Sequence, residues 1–249
     1  MPLLQTDSTS VFFAHVPKTG GTSVEDYLQQ HYGPLSLYDP DWLGRKAAGL
    51  PRKFPCSEQH LVWADARTLF DTKPDLVFGL VRDPLQRAIS EYRFQARSFP
   101  HMKRLTQRGF SVWLAVMEAA YRRDPYVMDN HLRPQSDFLP HEATVFRLEE
   151  GMEPVVDWLQ THLGGVAGQV PHAQKSAECP TLQDRIAPSK ADMARITRLY
   201  HKDYVRFGYQ HPIGGFEFAT LYRPAPVKHT LYAMVKGRKV TRAYRRKYI

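Results

Sequence analysis

The sequence predicts an α/β fold, a parallel β-sheet flanked by helices on both faces, with a basic helical appendage at the C-terminus. Three observations carry that expectation. Short apolar runs alternate with stretches of helical periodicity, the pattern of strands joined by crossover helices. Two of those runs, Val11 to Ala14 and Leu76 to Val81, lead directly into helix-start signals. The chain has 249 residues with 43% hydrophobic content and no Gly/Ser-rich linker, enough for one sizeable core over residues 1–222.

The first run sits in VFFAHVPKTGGTSVEDYL. Its helix is predicted by Val24, Tyr27, Leu28 and His31, spaced i, i+3, i+4, i+7. Thr22 and Glu25 read as a capping box. Between strand and helix, Gly20 and Gly21 permit positive φ and close approach of the backbone to a ligand. A helix N-terminus offers N–H groups without internal partners and about half a positive charge, so the loop is a P-loop-like cradle for an anion. Lys18 stands at its mouth as a mobile cation. The GxxxxGK[ST] loop of nucleotide triphosphatases places its lysine after the glycines, whereas Lys18 precedes them, so a different phosphate-bearing ligand is implied.

The second run, in LVFGLVRDPLQRAISEYRF, reads as a buried strand ending at Arg82. Asp83 as N-cap and Pro84 at the first helical position start a helix on which Arg87, Ser90, Glu91 and Phe94 share one face. Arg82 offers a planar fork of donors and Ser90 a hydroxyl, so the two are expected to converge on an anion, while Arg87 and Glu91 have the spacing of a helical ion pair.

Later elements follow the same logic. Residues 33–58, rich in Pro, Gly and aromatics including Tyr38, Trp42 and Phe54, read as an irregular excursion suited to an acceptor-binding wall. Ser111 to Tyr121 reads as a core helix through Val112, Ala115, Val116 and Ala119. Val145 to Leu148 reads as a strand, followed by a helix bearing Met152, Val155, Val156, Leu159 and Leu163. Ser189 with Asp192 caps a last helix with Met193, Ile196, Tyr200 and Phe207 as its stripe.

The paired segments PKTGGTS and RDPLQRAISEY resemble the cofactor signature of sulfotransferases that use 3′-phosphoadenosine 5′-phosphosulfate (PAPS). The likeness is nearest to the carbohydrate branch of heparan sulfate 2-O- and chondroitin sulfotransferases, in the form of a soluble bacterial member, and extends over about residues 9–210. It implies that Lys18, Thr19, Gly20, Gly21, Thr22 and Ser23 line the phosphosulfate site and that Arg82 and Ser90 hold the 3′-phosphate. A hydroxyl acceptor must lose a proton as it attacks sulfur, and an imidazole suits that role. His60 is the first candidate base, by its likeness to the family's His-containing segment, with Glu58 as fallback and His131 as the alternative; His15 is read as shaping the loop. Lys175, beside Ser176 in PHAQKS, is a further candidate cofactor contact, although Gln174 stands where similar loops often have Asn.

The reaction so implied is an in-line sulfuryl transfer to a carbohydrate or glycoconjugate hydroxyl, with Lys18 stabilising the leaving phosphate and no metal required. Scattered histidines, no HExxH, and only Cys56 and Cys179 give neither a zinc motif nor a disulfide framework. Two other classes compete: a nucleotide-dependent phosphoryl-transfer enzyme, against which the lysine placement argues, and a noncatalytic membrane- or nucleic-acid-binding module.

The latter would use the tail. Residues 223–249 carry nine basic and no acidic side chains, which equals the net charge of +9 for the whole chain. Leu231, Met234, Val235, Val240, Tyr244 and Tyr248 interleave with those cations, as in a helix that meets an anionic membrane surface or a partner protein. Nucleic acid is the less favoured partner, because it leaves the paired anion motifs unexplained. The start MPLLQTDSTS lacks the features of a signal peptide, and no apolar run is long enough to span a bilayer, so a cytoplasmic enzyme is expected.

Overall fold

The computed structural model describes residues 2–39, 41–42, 48–49, 54–98, 107–165 and 186–213. Lys175, Ser176, Cys179 and the basic tail 223–249 lie outside them. The chain divides into two units: Met1–Asp39, Cys56–Asp83 and Met128–Cys179 form the first, and Pro40–Pro55, Pro84–Val127 and Pro180–Ile249 the second.

The first unit is built on one sheet. Its strands are β1 (Leu3–Gln5), β2 (Ser10–Ala14), β3 (Leu35–Ser36), β4 (Leu76–Val81) and β5 (Thr144–Arg147), in the order β3-β1-β2-β4-β5. The pairings β2·β4 and β4·β5 are parallel, while β1 runs antiparallel to both β2 and β3. Four strands therefore run one way and β1 the other, so the expected parallel sheet is mostly parallel, with β1 as its one antiparallel strand among the described residues. The physical reason is local: β1 and β2 are joined by a tight turn, in which the Thr6 hydroxyl donates to the Thr9 carbonyl at 2.9 Å and accepts from the Thr9 N–H at 3.0 Å. So short a connection permits only a hairpin. The excursion after residue 33 likewise opens with β3 rather than irregular chain.

Side-chain alternation covers both faces of this sheet. On one face Val11, Phe13, Phe78 and Leu80 meet helix α1 (Gly21–His31), through Val24, Tyr27 and Leu28, and a helix over Glu153–Leu163, through Val155, Val156 and Leu159. On the other face Phe12 takes edge-on contacts from Trp63, in the short helix α2 (Trp63–Ala66), and from Phe70, with ring centroids 5.5 and 5.1 Å away. Val11, Phe12 and Phe13 are each 0% exposed. Burial of each contributes about 1.5–3 kcal/mol, which anchors the strand from which the glycine loop departs.

The second unit is helical, with α3 (Pro84–Ser98), α4 (Gln107–Tyr121), α6 (Lys190–Leu199) and α7 (His201–Phe207); the Glu153–Leu163 helix of the first unit is α5. The buried face of α4 is Phe110, Trp113, Leu114 and Met117, with Val116, rather than the expected Val112, Ala115 and Ala119. Those five bring much more apolar area than valine and alanine, and the larger payload sets the rotation of the helix. The Ser189–Asp192 capping box at the start of α6 is present, and Asp192 also accepts from the Ser111 hydroxyl at 2.6 Å. Arg87 and Glu91, which have the spacing of a helical ion pair, are both 2% exposed. The Arg87 guanidinium lies 5.6 Å from the centre of the Tyr200 ring, and Glu91 accepts from Gln95, which in turn accepts from the Trp113 indole. Among the described residues no helix is long and apolar enough to cross a membrane.

Candidate active site

Strand β2 ends at Ala14 and delivers the loop to the N-terminus of α1. Lys18 takes a left-handed conformation, φ 70°, and Gly20 another, φ 87°, as the N-cap of α1. Two glycines are needed for different reasons. At Gly20 the φ of 87° would strain any side chain, the nearest atom being only the mobile Cε tip of Met152, whereas a Cβ on Gly21 would come within 2.2 Å of His15 Nε2. The His15 ring is thus seated against the first residue of the helix. Its Nδ1 is 2.5 Å from the Glu25 carboxylate, and both side chains are buried. This corrects the expected capping box: α1 has no side-chain cap, and Glu25 is held by His15 instead. The Thr19 hydroxyl turns inward to the Val16 carbonyl at 2.8 Å, so the backbone N–H is what Thr19 can offer a ligand. Ser23 is buried and Thr22 exposed.

Three histidines follow one another in edge-to-face succession beside this loop. The His15 and His60 ring centres are 4.9 Å apart, and those of His60 and His131 are 4.8 Å apart. His60 closes a single 3₁₀ turn, Glu58–His60, and its Nδ1 lies 2.7 Å from Asp129 Oδ2. The same carboxylate accepts from the Ser57 hydroxyl at 2.8 Å and from the Ser57 N–H at 2.5 Å. Asn130 then fixes the backbone of the turn, donating to the His60 carbonyl at 2.8 Å. Asp129 and Asn130 reach these positions because Met128, Asp129 and Asn130 are all left-handed, with φ of 58°, 57° and 62°. Asp and Asn tolerate that region better than most residues, and Met does not.

The electrostatics assign roles within this cluster. Burial, the largest influence, pushes the His60 imidazolium down to about 4, with the neighbouring His131 and His15 acting in the same direction and the Asp129 carboxylate opposing them. Burial alone would raise the Asp129 carboxyl, but the interactions with His60, His131 and the Ser57 N–H hold it below the usual carboxylate range. At neutral pH the pair is therefore a neutral imidazole donating from Nδ1 to an ionised Asp129, which leaves the lone pair on Nε2 able to take a proton. Cys56 is no nucleophile, since burial first of all pushes its thiol up to about 12.

Arg82 follows β4 and is half-buried. Its backbone is clamped by Gln135, whose amide accepts from the Arg82 N–H at 2.9 Å and donates to its carbonyl at 2.8 Å. Gln135 itself is 0% exposed. Lys18, Thr19, Gly20, Gly21, Thr22, Ser23, His60, His131 and Arg82 thus all lie in the first unit, with His60 and His131 in ring contact; Glu58 opens the His60 turn. Ser90, half-buried on α3, belongs to the second unit. Sequence reasoning missed Asp129, Ser57, Asn130 and Gln135 as partners, although DNHLRPQ holds three of them.

Among the described residues this arrangement offers two chemical capacities: a helix N-terminus whose backbone amides can donate to an anion, and an oriented neutral imidazole able to take a proton. Comparison with known proteins gives one finding. The model of the sulfotransferase family matches residues 1–210, while no curated protein and no solved structure matches the chain.

Proposed function

The chain belongs to the sulfotransferase family, and from that premise we propose that it transfers the sulfuryl group of PAPS to a hydroxyl of a carbohydrate or glycoconjugate. The observation that carries the base assignment is the His60–Asp129 pair, bonded at 2.7 Å and in ring contact with His15, which is itself seated on Gly21 of the cradle. A backbone-amide loop, Lys18 and Arg82 are all donors, and two of them cations, so the donor set fits a ligand rich in phosphate and sulfate oxygens.

In this reading Lys18 and the amides of residues 19–23 hold the phosphosulfate, Arg82 and Ser90 hold the 3′-phosphate, and Lys175 adds a contact. PAPS supplies the sulfuryl group and a phosphate that departs with the electron pair of the broken S–O bond. His60 Nε2 takes the proton from the acceptor oxygen as that oxygen bonds to sulfur. Asp129 keeps the proton of His60 on Nδ1 and balances the imidazolium that forms. His131, edge-to-face against His60 with ring centres 4.8 Å apart, orients the acceptor. Lys18 with the loop amides stabilises charge gathering on the departing phosphate. The enzyme works in the cytoplasm, and its tail 223–249 meets an anionic membrane surface or a partner protein.

Calorimetric titration with 3′-phosphoadenosine 5′-phosphate, without metal and with ATP as competitor, tests the donor assignment. The expected result is binding that prefers this bisphosphate over ATP and weakens in Lys18→Ala and Arg82→Ala. A folded protein that binds neither nucleotide, or prefers ATP, refutes it.

A further inference from the structure

The three side chains around the base have a second chemical capacity. One donor atom each from His60, Asp129 and His131 lies within 4.8 Å of the others. Two of the three residues, Asp129 and His131, are alternate positions of one short left-handed turn, closed by the bond from the His131 N–H to the Met128 carbonyl at 3.1 Å. The third, His60, is already bonded to that turn at 2.7 Å. Two imidazoles and a carboxylate form a donor set suited to zinc and its first-row neighbours, whereas magnesium and calcium demand oxygen ligands. In a tetrahedral zinc site with bonds of about 2.0–2.1 Å, donors stand roughly 3.3 Å apart, so side-chain rotation must close the group by roughly 1.5 Å at most.

We propose that His60, Asp129 and His131 form a binding site for a divalent transition-metal ion of the zinc class, and that filling this site silences the base. Either ring nitrogen of His60 gives the same outcome. Coordination through Nε2 consumes the lone pair that takes the acceptor proton. Coordination through Nδ1 moves the remaining ring proton to Nε2, which then donates and cannot accept. The partners that now orient the pair, Ser57 on Asp129 and Asn130 on the His60 carbonyl, would serve equally to fix the ligands. Binding stands on these side chains alone, whereas the inhibition rests on the reading of His60 as base.

The experiment titrates zinc into the metal-stripped full-length protein at neutral pH, using wild type, His131→Ala and Asp129→Asn, with cobalt as a spectroscopic substitute. The bisphosphate is titrated into the same samples to report an intact cradle; His131→Gln replaces His131→Ala should the latter lack a cooperative melt. One zinc equivalent is expected on the wild type, weakened at least about tenfold in each variant. Cobalt should show visible ligand-field bands that vanish with His131, and zinc should inhibit sulfuryl transfer reversibly on chelation. No zinc binding, or equal binding by all three proteins, overturns the site. Zinc bound at one equivalent with turnover undiminished overturns the inhibition. Failure of the bisphosphate to bind counts against the donor assignment, while the zinc titration still decides the metal site.

Discussion

Asp129→Asn is the sharpest probe of the proposed base. The substitution keeps the shape of the side chain and the left-handed backbone at φ 57°, which Asn adopts as readily as Asp. It changes what the three contacts exchange. The Asn carbonyl can still accept from the Ser57 N–H, now at 2.5 Å, but an NH₂ group then faces His60 Nδ1, now 2.7 Å from a carboxylate oxygen. That amide can only donate, so His60 must present its Nδ1 lone pair and carry its proton on Nε2, the wrong tautomer for a base. In a hydrolytic triad the same change lowers turnover by about 10⁴, so a drop of about 10³ to 10⁴ in kcat is expected, about 4–5.5 kcal/mol of transition-state stabilisation at 1.36 kcal/mol per decade. Binding of the bisphosphate should be unchanged within about twofold, because the cradle is untouched. The assay is steady-state turnover on an acceptor found by screening hydroxylated glycans, with calorimetry for the bisphosphate. A variant within tenfold of wild type in kcat, with bisphosphate binding preserved, would refute Asp129 as the group that orients His60.

Three further outcomes follow. His60 has a folded-state value of about 4 against an ordinary 6.5, so protonation favours the unfolded chain: its contribution, about 3 kcal/mol, is complete above about pH 6.5 and lost as pH falls through about 4. Denaturant titrations across that window should show the loss in wild type and not in His60→Gln, and the acid limb of kcat/KM should fall near 4. Gly21→Ala forces a Cβ to within 2.2 Å of His15 Nε2, so His15 must move off the helix; a loss of about 1–3 kcal/mol in stability and weaker bisphosphate binding are expected, and unchanged melting would count against the seat described here. Gln135→Ala strips partners from the Arg82 N–H and carbonyl, which should lower stability by about 2 kcal/mol and loosen the bisphosphate, as calorimetry and thermal melts would show.

Strand β4 and helices α1, α3, α4, α5 and α6 were legible because periodicity and helix-start signals are local properties of the chain. Direction of the sheet edge was not, since Leu3 to Gln5 shows no marker for a hairpin partner in a strand only three residues long. The glycine loop was legible for the same reason as the helices, yet the use of Glu25 was not: the Thr22-x-x-Glu25 spacing reads as a cap, and only the fold brings His15 back over Gly21 to claim the carboxylate. Candidates His60 and His131 were singled out separately as alternatives. What joins them is Asp129, far from His60 in the chain and delivered by a run of positive φ that no residue-type rule announces at Met128.

That run also bears on how the site comes apart. Three successive residues in a region that costs L-amino acids roughly 1–2 kcal/mol each form a turn with little intrinsic preference for its own shape. It persists through bonds to chain outside itself, from the Ser57 N–H to the Asp129 carboxylate and from the Asn130 amide to the His60 carbonyl. When those bonds open, the turn relaxes, and the carboxylate, the base and its neighbour His131 leave together. In native-state hydrogen exchange the amides of Ser57, His60 and His131 should then share one opening free energy, below that of the β2 and β4 amides.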